Sequence, residues 1–145
     1  MSSVRGSIVA AVEARVLTIR TAAGYRTNLG LALRTWQAAP PDWTQLPVVQ
    51  ITDPESSAAA PAYGQVSHTI SLGVEIMLPG GTAPSALRDY AADVLQAVGT
   101  DTTWGGLATT TRLTGVALDP GELQQVSAGV SVGLEVVYEA AAWVL

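Results

Sequence analysis

The stretch VSHTISLGVEIML, residues 66–78, decides the fold. Val66, His68, Ile70, Leu72, Val74, Ile76 and Leu78 alternate with Ser67, Thr69, Ser71, Gly73, Glu75 and Met77. A period of two with one apolar phase is the signature of a long strand with one buried face. Working outward, residues 123–139 repeat the pattern: Val126, Ala128, Val130, Val132, Leu134, Val136 and Tyr138 share a phase. Asp119-Pro120-Gly121 is a turn that joins this strand to another over Leu107–Leu118. Upstream, Leu46–Thr52 (LPVVQIT) reads as a strand, and so does Thr27–Trp36, where Leu29, Leu31 and Leu33 alternate with Asn28, Gly30 and Ala32.

Two segments carry helical spacing instead. Val4, Ile8, Val12, Val16 and Ile19 fall on one face of a helix over residues 4–22, with Ser2 or Ser3 as N-cap and Gly24 as its stop. Leu87, Tyr90, Ala91, Val94, Leu95 and Val98 mark a second helix over residues 84–98. It follows the Pro79-Gly80-Gly81 break, with Thr82 as N-cap and Gly99 at its end. Asp53–Tyr63, rich in serine, alanine and proline, reads as a flexible loop. The expected order is α-β-β-β-α-β-β. That is one α+β domain over residues 1–145, with a mostly antiparallel five-stranded sheet and two helices packed on one face.

Composition removes many functions. Among 145 residues there are no cysteines, one histidine, seven arginines and no lysine. Thiol chemistry, zinc ribbons, a phosphate-loop lysine, a Schiff-base lysine and a multi-histidine metal site are excluded. Twelve acids against seven arginines give a net charge of −5, which argues against nucleic-acid binding. No apolar run reaches the roughly 18–20 residues of a membrane span, and no leader pattern is evident. Only 13% of residues are charged and 48% are hydrophobic. Ordinary soluble domains hold about 25% charged residues, so a poorly charged surface is expected here, one suited to burial against partners.

Chemistry-bearing patterns are sparse. His68 lies in phase with Val66 and Ile70, which suits a buried histidine, and spacing pairs no acid or nucleophile with it. Asp89 and Asp93 share a helix face and read as solvated carboxylates. Glu75, Glu135 and Glu139 fall on the polar phases of long strands, where they could line a surface, a pore or a subunit contact. Trp36, Trp43 and Trp104 lie in or beside loops, and Trp143 near the end of the sequence. Such residues either anchor interfaces or lid the edges of the core. No catalytic, cofactor-binding or metal-ligating set emerges, and an enzyme is not expected.

The junction Gly24-Tyr25-Arg26-Thr27-Asn28-Leu29-Gly30, followed by Leu33, Trp36 and the Pro47-containing strand LPVVQI, resembles small tail proteins of long-tailed bacteriophages. With the helix–strands–helix–strands plan, the whole chain is similar to the tail terminator family, also called tail completion or minor tail proteins. The resemblance implies a non-enzymatic virion protein at the head-proximal end of the tail, assembled in the host cytoplasm. Six copies would form a ring that caps the tail tube, ends its polymerisation, and joins it to the head-completion (stopper) protein. The tape measure's end would lie close by. The genome would pass through the lumen without specific binding, and neither membrane nor cofactor would be involved. Candidate contact residues, between subunits or with tube and neck, are Tyr25, Arg26, Asn28, Arg34, Trp36, Trp43, Glu55, Tyr63, Trp104 and Trp143. Another neck or tail-tube component, or a small α+β ligand-binding module, is the alternative.

Overall fold

A computed structural model describes residues 3–37, 46–59, 65–121, 127–141 and 143–145. The chain is α+β. Helix α1 (Val4–Leu17) is followed by two short 3-10 turns, Thr21–Ala23 and Leu29–Ala32. Then come β1 (Val48–Ala58), β2 (Val66–Pro79), α2 (Pro84–Gly99), β3 (Thr110–Asp119) and β4 (Ser127–Ala140). Four strands form one antiparallel sheet in the order β1-β2-β4-β3. Among the described residues the order is therefore α-β-β-α-β-β, one strand fewer than the sequence reading expects.

Binary patterning accounts for most of this. Every second residue of β2 and β4 is buried, from Val66 to Leu78 and from Ala128 to Tyr138. Helices α1 and α2 lay Ile8, Val12, Val16, Leu87, Ala91, Val94 and Ala97 against that face. Each fully buried aliphatic side chain contributes about 1.5–3 kcal/mol of transfer free energy, so this layer dominates stability. Among the described residues no helix packs on the opposite sheet face, which carries mostly small and polar side chains besides Val48, Met77 and Val137.

The missing strand is Thr27–Trp36. The apolar alternation there does not survive folding: Leu29 is 1% exposed, Leu31 is 60% exposed, and Gly30 and Ala32 are buried. Local bonds satisfy the backbone first. Asn28 Oδ1 accepts from Thr21 N–H at 2.9 Å, Leu31 N–H donates to Asn28 O, and Gly30 N–H donates to Ile19 O. A short polar side chain bonded to nearby backbone competes with a ladder, and here it wins. One parallel bridge, Leu33 to Val49, remains of the expected strand.

Other boundaries move for identifiable reasons. Helix α1 ends at Leu17, where Thr18 Oγ1 and Thr18 N–H both return to Arg15 O. Gly24, at φ 95°, closes the following 3-10 turn rather than the helix. Thr82 is not the N-cap of α2. That position is Ala83, and Thr82 Oγ1 bonds Pro79 O instead. Residues 53–58, expected as flexible loop, extend β1 through a bulge between Thr52 and Glu55 that absorbs Pro54. Residues 60–63 of the expected loop and 123–126 of the expected last strand lie outside the described residues.

Candidate functional site

The strongest concentration of expected contact residues is a groove of about 630 Å³ between the 3-10 segment and α2. Arg26, Thr27, Asn28, Leu31 and Arg34 form one wall, and Ala86, Asp89 and Tyr90 form the other. Asp93 builds it. That carboxylate is fully buried under the Arg26–Thr27 backbone, contrary to the solvated face expected for it, whereas Asp89 is exposed. Asp93 Oδ1 accepts from Arg26 N–H at 3.0 Å and from Arg26 Nη1 at 3.3 Å. Oδ2 accepts from Thr27 N–H at 2.8 Å and Thr27 Oγ1 at 2.7 Å. A buried carboxylate persists only when its lone pairs are filled in this way. Tyr90 sits beside it, and burial, then the Asp93 charge, raise the phenol above its ordinary pKa.

The groove has the volume of a small-ligand cleft. Leu31 offers an apolar contact at its rim, and Arg26 and Arg34 are exposed cations. Arg34 is oriented by its own Nη1 bond to Leu33 O at 2.9 Å, while its backbone N–H ties the segment to Val49 O. Leu31 and Tyr90 escape a sequence reading because a strand assignment puts Leu31 in phase with the core and a helix assignment buries Tyr90. The spacing of Asp93, four before buried Ala97 and three after Tyr90, was the available signal for its burial.

The remaining expected residues scatter. Tyr25 is half-buried against the core, and Trp36 is 45% exposed beyond the groove. Trp43 and Tyr63 lie outside the described residues. Glu55 is exposed on β1. Trp143 is 99% exposed, beside Ser56, Ser57 and Ala58 at that same edge of the sheet. Trp104 is no surface anchor. It is 3% exposed, with the Arg15 guanidinium stacked 4.2 Å above its ring and its Nε1–H donated to Thr111 Oγ1 at 2.8 Å. It lids the core, and its φ of 55° is held by the turn around it.

Asp101 organises that turn. It accepts from Thr103 N–H, Thr103 Oγ1 and Gly105 N–H. The Thr103 hydroxyl first, then the Gly105 and Thr103 amides, lower its pKa from the ordinary 3.8 to about 2. A depressed carboxylate stabilises the fold above its unfolded pKa and loses that contribution as pH falls through the folded value. Acid titration of stability between pH 4 and 2, followed by circular dichroism, is therefore expected to flatten in Asp101→Asn.

His68 is buried as expected. Its ring stacks on Tyr138 at 4.9 Å between centroids, with Nε2 3.3 Å from Ala141 O. Burial raises the Tyr138 pKa. Among the described residues, no group of three or more histidines and carboxylates converges on a metal-sized site. No helix there is long and apolar enough to cross a membrane.

The helix-free sheet face has its own electrostatics. Cross-strand partners share a face. The pairing therefore puts Glu55, Glu75, Asp119, Glu135 and Glu139 there, with Arg112 as the cation among the described residues. Arg112 Nη2 holds Glu135 at 2.8 Å, and Glu75 accepts from Ser131 Oγ at 3.0 Å. A row of glycines, Gly73, Gly133 and Gly115, crosses the middle of this face, and a concavity of about 620 Å³ lies beside it among Glu75, Met77, Ala117, Asp119 and Ser131. Compared with protein-family models and with the sequences of curated proteins, the chain matches none.

Proposed function

We propose that the chain is a phage tail terminator subunit: six copies ring the end of the tail tube, stop its growth and receive the head-completion protein. The observation that carries this reading is the open sheet face. It is largely polar and predominantly acidic, and two fourteen-residue strands make it about 45 Å long. Placed toward the lumen, such a face repels phosphate and lets DNA slide. The helices then face outward, and the Arg26–Arg34 groove lies clear of the lumen, free to take a segment of tube or neck protein. The work is binding without catalysis. The sequence resemblance supports the same reading independently.

The test is electron microscopy of particles made without this protein. Over-long tubes lacking heads are expected; tails of normal length joined to heads overturn the reading. The groove is tested separately with Leu31→Asp. Leu31 is 60% exposed, so the fold should change by no more than about 0.5 kcal/mol. Tail lengths should broaden and head joining should fall several-fold. A tube-protein role would show instead as self-polymerisation of the purified chain.

A further inference from the structure

The two edges of the sheet are unlike. The first half of β1 is occupied, because Arg34 N–H bonds Val49 O and Leu33 bridges Val49. The bulge is covered by Arg5, whose guanidinium reaches Asp53 Oδ2, the Asp53 carbonyl and Ser56 Oγ. Beyond it, the Glu55–Ala58 backbone pairs with β2 and with no other strand among the described residues. At the other edge, among the described residues, β3 pairs with β4 alone along its ten residues. The helix layer touches β3 but leaves eight of its ten residues exposed. On the face that the helices cover elsewhere, Leu113, Val116 and Leu118 are 52%, 41% and 38% exposed.

Cross-strand rows relate these edges. Glu55, Ser71, Glu135 and Arg112 form one row; Ser56, Ile70, Val136 and Thr111 form the next. Three antiparallel steps make β1 and β3 mutually antiparallel. A second copy, rotated about an axis along the strands, therefore presents its Glu55–Ala58 antiparallel to β3. In the unslipped register Glu55 meets Arg112, opposite charges on the same open face. Trp143 stands next to Ser56 and Ala58, whose side chains share the helix-covered phase, and Leu113 belongs to that phase as well.

We propose that copies of this chain join head to tail through this edge. Glu55–Ala58 of one copy adds to β3 of the next, Glu55 pairs with Arg112, and Trp143 covers the bare Leu113 strip. This deepens the ring reading above and rests on it only for closure. Unlike patches on opposite edges make a heterologous contact, which propagates in one direction until it closes. A two-fold β3–β3 contact would leave both Glu55–Ala58 and Trp143 uncovered.

Because the chain has no cysteine, engineered pairs report cleanly. Directly opposed strand residues lie within disulfide reach, with Cα atoms about 4.5–5.5 Å apart. Glu55→Cys and Arg112→Cys chains, mixed at high concentration with oxidised glutathione, should form the mixed disulfide at least ten-fold over either homodimer. The double variant should give a ladder of covalent oligomers. Trp143→Ala in the same background should cut the yield several-fold with an unchanged circular dichroism spectrum. Dominant Arg112→Cys homodimers, or a yield no higher than with an Arg88→Cys control, overturn the contact. Cross-linking together with unregulated tail length overturns the capping reading alone; capping without cross-linking overturns the contact alone.

Discussion

Asp93→Ala is expected to lower the unfolding free energy by about 3 kcal/mol, because the groove wall is hung on one buried carboxylate. Removing it leaves Arg26 N–H, Thr27 N–H and Thr27 Oγ1 without their acceptor under the protein surface. Unpaired buried polar groups cost about 1–3 kcal/mol each, and partial solvation of the loosened segment returns some of that. For a chain of this size the loss corresponds to a fall in melting temperature of about 10 °C. Differential scanning calorimetry checks it, with Asp93→Asn giving an intermediate loss, since one amide oxygen still accepts. Binding at the groove should fall further than stability does, because Thr27 and Arg26 help to shape it.

Gly30→Ala is expected to cost at least about 3 kcal/mol, the upper end of what overpacking does. A Cβ at residue 30 would stand 2.4 Å from Leu17 O, 2.8 Å from Leu17 C and 2.9 Å from Val16 O. All three are backbone atoms at the end of α1, so no side chain can swing away. The 3-10 segment crosses the helix terminus in direct backbone contact, and Gly30 N–H donates to Ile19 O at that crossing. Gly129→Ala is the internal control. Its Cβ would meet only Ile76 O at 3.6 Å, an ordinary contact, and alanine in a strand relieves about 0.5–1 kcal/mol of glycine's entropic penalty. Urea titration should show a large shift in midpoint for the first variant and none or a small gain for the second.

These two residues also mark where the sequence stops being legible. The alternation of β2 and β4 and the helical faces of α1 and α2 are local patterns, so they can be read directly. Thr27–Trp36 has the same alternation, yet what decides its shape is the Asn28 side chain, the Leu17 carbonyl and a carboxylate 67 positions away on α2. Periodicity does not record such partners. The Pro54 region departs from its sequence pattern for a related reason. Its composition suits a loop, but a bulge and the Arg5 guanidinium hold it in the sheet. Only packing separates Trp104 from Trp143, since neither lies in a periodic run that would assign it a face. The structure brings Arg26, Asn28 and Arg34 of the expected contact residues to one groove, whereas placing Leu31, Tyr90 and Asp93 there needed the fold.

The bare edge of β3 bears on how the protein must be made. Ten residues with no proline and no lysine, charged only at Arg112 and Asp119, offer a free template to any extended chain nearby. A lone copy of the chain is thus exposed to sheet growth at this edge, and its colloidal lifetime would shorten with concentration. Closing the edge would then do more than position a neighbour: it would retire the stickiest stretch of the molecule.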